Sequence, residues 1–576
     1  NPRAAFAFTN SGAIGTAPIT FSGLTASSYA VGTAAQRPSG LITADKSGGA
    51  AVNLTTDVSL IAGGQDLLVN QGVLNLNGFD LNVIDGLTVS AGTTLRCSGG
   101  EFTSASLSNS GTIECPGYAT YPFNWTGNTA DGNFATAGNW QGLAAPTSTD
   151  VAVFNNAYCG ANCNANILVN TTVKGIQLEA GYLGTITQNS GASLTLGSKG
   201  WRQSNGTFVG GDQTIFISGV TNITGGTFTS TSGTLQTRSS VTRTATFNHN
   251  GGKWRMGAPY GLTRAITLGN LDLNDLEFYA ENLYDSFTFT ITGNVNVLGK
   301  LNLTKVDGSS PAGTLNGGTL IVRGNITSNT NFYGSTAIQA AGTVSQTITG
   351  VVGGSTIPNL NFISTGGTVT VVGTPTFYRS LTHTSGTVDF GTSSVTLMGQ
   401  YNTAYNITVP LLSFNNLTFH SECNRDTLPF NVTGNLNVFG NLQLVASCTA
   451  SSINTGTIFV RGNISTSGSV AYTGTAGFNL TGTSNSTISQ FGAGTFARGN
   501  ITINKTSATV TQTTAISLPA AGQSLTVQNG TYNMAGFGLT ATGTITNNGV
   551  LQRGTSPACG TITAGSYAGT AAICPP

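Results

Sequence analysis

The sequence predicts an all-β protein: a β-solenoid of the parallel β-helix kind, built from long internal repeats, with little or no helix. Three observations carry that expectation. Whole phrases recur at fixed long offsets, short period-2 apolar runs recur inside them, and charge is almost absent. Only 7% of the 576 residues are charged, 21 Lys+Arg against 20 Asp+Glu, while Gly contributes 79. Ordinary soluble domains carry roughly 25% charged residues. Solvent-facing helix stripes are normally made of Glu, Lys, Arg and Gln, so this composition argues against helices. Thr, Ser, Asn and Gly take their place, and these favour strands and tight turns.

The same balance excludes classes of partner. A net charge of +1 offers no electrostatic footprint for nucleic acid or for an anionic membrane. No apolar run approaches the roughly 18 residues of a membrane-spanning helix. Disorder by self-repulsion needs high charge and few β-branched residues, the opposite of what is found.

Taken in order, the chain opens with a module over 1–117. Val52 to Leu81 aligns without gaps to Val510 to Leu539, with Lys46 falling near Lys505. Cys97 and Cys115 sit where Cys559 and Cys574 sit, so the first module is a divergent copy of the last, 460–576. A Trp-rich linking or solenoid-opening element spans 118–165, and further coils fill 166–270. Two long repeats follow, 271–411 and 412–576. Phe289 to Gly299 (FTITGNVNVLG) reappears as Phe430 to Gly440 (FNVTGNLNVFG), and Leu320 to Thr327 (LIVRGNIT) as Ile458 to Ser465 (IFVRGNIS), at an offset near 141.

Inside a module the step is near 20 residues: Leu67 to Gly72, Leu87 to Gly92, then Leu107 to Gly111. Each step holds short alternating strands such as Val73 to Gly78, punctuated by Gly, Asn or Asp. Twenty residues with several strands is the size of one β-helix coil. A string of β-sandwiches, with turns every 8–12 residues, is the alternative architecture; the leucine step favours the solenoid.

Eight cysteines form four close pairs: Cys97/Cys115, Cys159/Cys163, Cys423/Cys448 and Cys559/Cys574. None has CxxC metal spacing and the chain has three histidines, so disulfides in an oxidising, extracellular setting are expected. Cys97 and Cys115 lie nearly one coil apart. Stacked strands are 4.7–4.9 Å apart, within the Cα separation a disulfide tolerates, so a cross-coil staple is expected there and at Cys559/Cys574. The chain begins at Asn1 rather than Met, from which removal of a secretory segment is expected.

Several phrases resemble secreted bacterial surface proteins with β-helix repeats, the group of filamentous-haemagglutinin-like and autotransporter-passenger solenoids. They are Gln346 to Gly350 (QTITG), Asn359 to Phe362 (NLNF), Ser380 to Phe390 and Gly293 to Val297. Trp125 to Gly127, Asp131 to Phe134, Ala137 to Trp140, Pro146 and Asp150 to Phe154 are similar to the element that often opens such solenoids. The resemblance implies the fold and a surface or extracellular role; members serve as adhesins, stalks and fibres.

Candidate chemistry is sparse. His249 and His383 occupy equivalent pre-glycine positions and read as turn residues, and no Gly-x-Ser-x-Gly elbow accompanies them or His420. Asp272, Asp275, Glu277, Glu281 and Asp285 form the densest acidic stretch, whose spacing matches no Ca²⁺ loop; weak Ca²⁺ binding is the most it suggests, and no cofactor is expected. Phe278, Tyr279, Tyr284, Phe287 and Phe289 read as core aromatics rather than a sugar platform. The Gly-Asn pairs Gly293-Asn294, Gly324-Asn325, Gly434-Asn435 and Gly462-Asn463 read as left-handed turns, with Asn ladders along the axis. The opening strand, Ala4, Ala5, Phe6, Ala7 and Phe8, is apolar and has no partner in its own phase, so it is expected to add to the sheet edge of another copy.

The expected function is that of a secreted, non-enzymatic structural protein, self-associating head to tail into an extracellular filament or cell-surface stalk. A monomeric adhesin for glycans or other cells is the alternative, using loops around 118–165 or 272–288. A polysaccharide-degrading β-helix enzyme is the third reading, and thinly scattered basic residues argue against it.

Overall fold

The computed structural model describes the chain except for residues 1–5, 9–14, 32–38, 61, 63, 99, 116–122, 142, 259–262, 282–286, 306–312, 352–354, 400–403, 409–411, 422–428 and 447–450. The protein is an all-β parallel β-solenoid whose coils stack about 22 residues apart. Among the described residues one α-helical turn occurs, Asn156–Cys159. The chain forms two compact units, Asn1–Arg255 and Met256–Pro576.

The first unit contains two stacks. In the first stack each coil has three sides. Ala51–Leu54, Val58–Leu60 and Leu67–Gln71 make one coil; Val73–Asn75 and the bent strand Leu81–Val89 make the next. The register follows the pleat. Val58 lies opposite Leu81, Leu67 opposite Leu87, and Val73 opposite Thr94. Alternation decides which side chains face in: Val52, Leu54, Val58, Leu60, Leu67 and Val69 are buried, while their neighbours face out. A one-residue slip would turn the whole inner row to solvent, which is what holds the register.

The second stack begins at strand Val151–Phe154, which is buried on both faces. Val151 and Val153 join the core of the first stack. Phe154 points the other way, its ring 5.8 Å from Trp125, 5.6 Å from Trp140 and 5.4 Å from Tyr182. A strand with two dry faces must be apolar throughout, and Val-Ala-Val-Phe is. Further along this stack Phe208, Phe228 and Phe247 sit in register in successive coils, between Trp201 and Trp254.

In the second unit the long repeat is visible as repeated register. Val295, Leu320, Ile338 and Leu360 stack in one column of the first copy. Leu436, Ile458, Phe478 and Ile501 stack in the same way in the second. The final module reproduces the opening one: Ile516 lies opposite Leu539 and Leu525 opposite Ile545, as Val58 does with Leu81 and Leu67 with Leu87.

One expectation is corrected here. Strand Phe6–Phe8 is not unpartnered; it pairs in parallel with Ser27–Val31 of its own chain, Phe6 opposite Tyr29 and Phe8 opposite Val31. The step from Phe6 to Tyr29 is one coil, longer than the 20-residue step that put the strand out of phase. Ala4 and Ala5 lie outside the described residues.

Candidate functional site

The residues singled out by sequence separate into staples, turn rungs and buried groups. Cys97 and Cys115 are joined, with Cα atoms 4.9 Å apart, immediately after the paired residues Arg96 and Glu114. Cys559 and Cys574 are joined across 6.0 Å, and Cys159 and Cys163 across 4.9 Å. Cys423 and Cys448 lie outside the described residues.

The Gly-Asn turns use glycine for two different reasons. Gly293 and Gly434 have φ of 105° and 96°, which side chains resist. Gly324 and Gly462 do not have positive φ. There a Cβ would collide with the backbone of Gly299 and Gly440 in the preceding coil, so close approach, not handedness, excludes other residues. The left-handed reading is corrected for these two. The asparagines act as rungs between coils. Oδ1 of Asn325 accepts from the Thr347 N–H at 2.9 Å, that of Asn435 from Thr457 at 3.3 Å, and that of Asn463 from Thr487 at 2.8 Å. Asn294 opens the strand Asn294–Val297. A side-chain amide ladder runs from Asn454 to Asn431 (3.1 Å) and from Asn431 to Asn406 (3.2 Å).

The other candidates serve the same stacking. His249 Nδ1 accepts from the Gly251 N–H at 2.9 Å, and His383 Nε2 lies 2.8 Å from the Gly386 carbonyl. Asp272, Asp275 and Glu277 do not converge. Each takes a hydrogen bond from the next coil, from Asn296, the Lys300 N–H and Thr304 respectively. Phe278, Phe287 and Phe289 are core residues. Asp285 and Tyr284 lie outside the described residues.

Sequence reasoning missed a charged seam in the first unit. Asp57, Asp80 and Glu101 stack at coil spacing, linked because Asp57 accepts from the Asp80 N–H (2.8 Å) and Asp80 from the Glu101 N–H (2.9 Å). Like charges at that spacing repel. They are tolerated because Lys199 pairs with Asp80, and Arg202 with Glu101 at 2.8 Å, from the second stack. Lys174 joins them; a Cβ on Gly78 would occupy the place of its ammonium. Burial is the main influence on Lys174 and lowers its pKa, and burial likewise raises that of Glu101. The seam ties the two stacks of this unit together. The pairs are partly open to solvent, so screening limits their worth. The double substitution Lys199→Met with Arg202→Met is expected to cost the first unit about 1–2 kcal/mol in urea denaturation. Salt at 1 M should weaken the wild-type unit by screening these pairs, and should not weaken the variant, whose stacked carboxylates it screens from one another. An unchanged salt response would show that the seam does not join the stacks.

Lys46 and Lys505, which the sequence aligns, are both fully buried. Lys46 Nζ donates to the carbonyls of Ser22 (2.9 Å) and Thr25 (3.0 Å). Lys505 Nζ donates to those of Arg461 (2.6 Å) and Ser484 (3.1 Å). Each ammonium plugs a bend where strand pairing leaves carbonyls inward. Burial without a counter-ion brings the Lys505 pKa from 10.5 to about 8. Between those values the unfolded chain holds a proton that the folded chain has released, so stability rises with pH across this window. The Tm of the wild type relative to Lys505→Met is therefore expected to increase from pH 7.5 to pH 9.5. A pH-independent difference would contradict the assignment.

The Trp-rich element forms a plug at the head of the second stack. The Trp125 and Trp140 rings meet edge to face at 5.1 Å, and Trp140 lies 4.8 Å from Phe134. Trp125 Nε1 donates to Asn162 O at 3.0 Å and Trp140 Nε1 to Phe134 O at 2.7 Å. The Asp131 carboxylate, at about pKa 2, is held by the Asn133 N–H and by Thr136, Asn139 and Thr129. These contacts are internal to the loop.

Among the described residues no group of three or more His, Cys, Asp or Glu is placed to hold a metal ion. No described helix is long and apolar enough to cross a membrane. No protein-family model, curated protein or solved structure matches the chain. The class that the fold defines is the parallel β-solenoid.

Proposed function

We propose that the protein is a secreted structural subunit, a solenoid whose copies meet end to end in an extracellular filament or cell-surface stalk. The observation that supports it most is the shared plan of the opening and closing modules, which have the same strand register and a staple at equivalent positions. An end-to-end contact between copies would extend a parallel sheet by one more coil. It joins different surfaces of the two copies, so it is heterologous and generates an open fibre when its rotation does not close. The charge-poor outer face suits such stacking, because Asn, Thr and Ser rungs satisfy one another where like charges would repel. Disulfides fit an oxidising compartment. No catalytic role is proposed: the histidines and acids described above are engaged in turns and rungs. Sedimentation velocity over a concentration series tests the reading. Growth in mean size with concentration supports it, and a single species at all concentrations refutes it.

A further inference from the structure

The second unit carries a cleft that this structural role does not use. It has a volume of about 590 Å³ and is lined by Phe439, Arg461, Thr481, Thr483, Ser484 and Asn485, with glycines between them. That size is in the range of small-molecule sites. Phe439 is 47% exposed in a solenoid whose other phenylalanines are mostly core. The Arg461 guanidinium stands over its ring, 4.3 Å from the centroid. Cation–π contact of this kind fixes the guanidinium while leaving its N–H edges free to bind.

The stretch of chain that holds Arg461 supplies no acid to neutralise that charge. The ion pairs Arg96–Glu114, Lys199–Asp80 and Arg202–Glu101 lie in the first unit. From Thr427 to Pro576 the sequence contains Arg461, Arg498, Lys505 and Arg553 but no Asp or Glu. Under the cleft floor the Lys505 ammonium donates to the carbonyls of two lining residues, Arg461 and Ser484. The rest of the lining is hydroxyl and amide. Asn485 already uses Oδ1 to accept from the Thr509 N–H at 2.9 Å, which orients its amide.

The first long repeat supplies an internal comparison. At the matching positions it has Leu298 for Phe439, Arg323 for Arg461 and Ser364 for Lys505. Ser364 is buried and donates to the carbonyls of Gly342 and Gly366. The arginine is common to both copies, whereas the aromatic ring and the buried cation belong to the second alone.

We propose that this cleft binds a carboxylated sugar residue. The guanidinium takes the carboxylate, the exposed part of the Phe439 ring takes a C–H face of the sugar, and the Thr, Ser and Asn groups pair with its hydroxyls. A uronate and a sialate both present this chemistry. The inference goes beyond the filament reading and does not depend on it.

Isothermal titration of the intact chain with trigalacturonate and with sialyllactose, at 0.15 M salt, tests it. Binding of at least one probe is expected. Arg461→Gln and Phe439→Leu should each weaken it at least tenfold, with unchanged melting, and methyl esterification of the bound probe should abolish it. Arg323→Gln should leave it unaltered. The proposal is overturned if neither probe binds, if the ester binds as well as the acid, or if Arg323→Gln is as damaging as Arg461→Gln.

Discussion

Replacing Trp140 by alanine is expected to cost the first unit about 3–5 kcal/mol, the range for truncating a buried Trp or Phe. Trp140 is 1% exposed and touches Trp125, Phe134 and Phe154. Its loss opens a cavity where the Trp-rich plug meets the doubly buried strand Val151–Phe154, and it leaves the Phe134 carbonyl without its donor. Solenoid coils interact mainly with their neighbours, so the damage should stay in the first unit. All four tryptophans, Trp125, Trp140, Trp201 and Trp254, lie in that unit, so urea denaturation followed by tryptophan emission reads it selectively. A loss under about 1 kcal/mol, the size of an ordinary surface change, would show that the plug is not packed as described.

Placing proline at Ala564 is expected to abolish end-to-end assembly while leaving the fold intact. Ala564 lies in Ile562–Gly569, whose parallel ladder is with Leu539–Asn547. The Leu539 N–H donates to Thr561 O, and Leu539 lies opposite Ile562. Parallel ladders alternate, so the N–H groups of Ile562 and Ala564 face away from that partner. Proline at Ala564 therefore removes a donor from the outer edge and none from the inner ladder, the one place a strand accepts it. Sedimentation should show at least a tenfold loss of polymer, with thermal stability changed by no more than about 0.5 kcal/mol. Tyr567→Lys, which puts charge on the same edge, should act in the same direction. Polymers that persist in both variants would exclude this edge as the contact.

Much of the fold was legible because a stacked sheet writes its inner face as a period of two and its coil as a longer period. Val52 and Leu54 announce one side of a coil, Val58 and Leu60 the next, and the copies near 141 residues apart announce the stacking. The Asn rungs were legible for the same reason, since each sits at a repeated turn. Contacts that do not follow the coil were not. The seam joins Asp80 to Lys199 across 119 residues, and nothing local marks that pairing. A signal did exist: Asp57, Asp80 and Glu101 recur at coil spacing in a chain otherwise poor in charge. Strand Phe6–Phe8 was misread because its coil is longer than the leucine step. Gly324 and Gly462 were assigned to handedness because the neighbouring backbone, which is what excludes a side chain there, is a coil away in sequence. The Phe439–Arg461 stack is split between two coils, so its residues meet only when the coils are superposed.

The central claim, that copies of this solenoid add to one another at their ends, is tested most directly by negative-stain electron microscopy of the purified chain. Unbranched filaments many subunits long, absent from the Ala564→Pro variant, are the predicted result. Discrete single particles at every concentration, with the wild type indistinguishable from the variant, would contradict it.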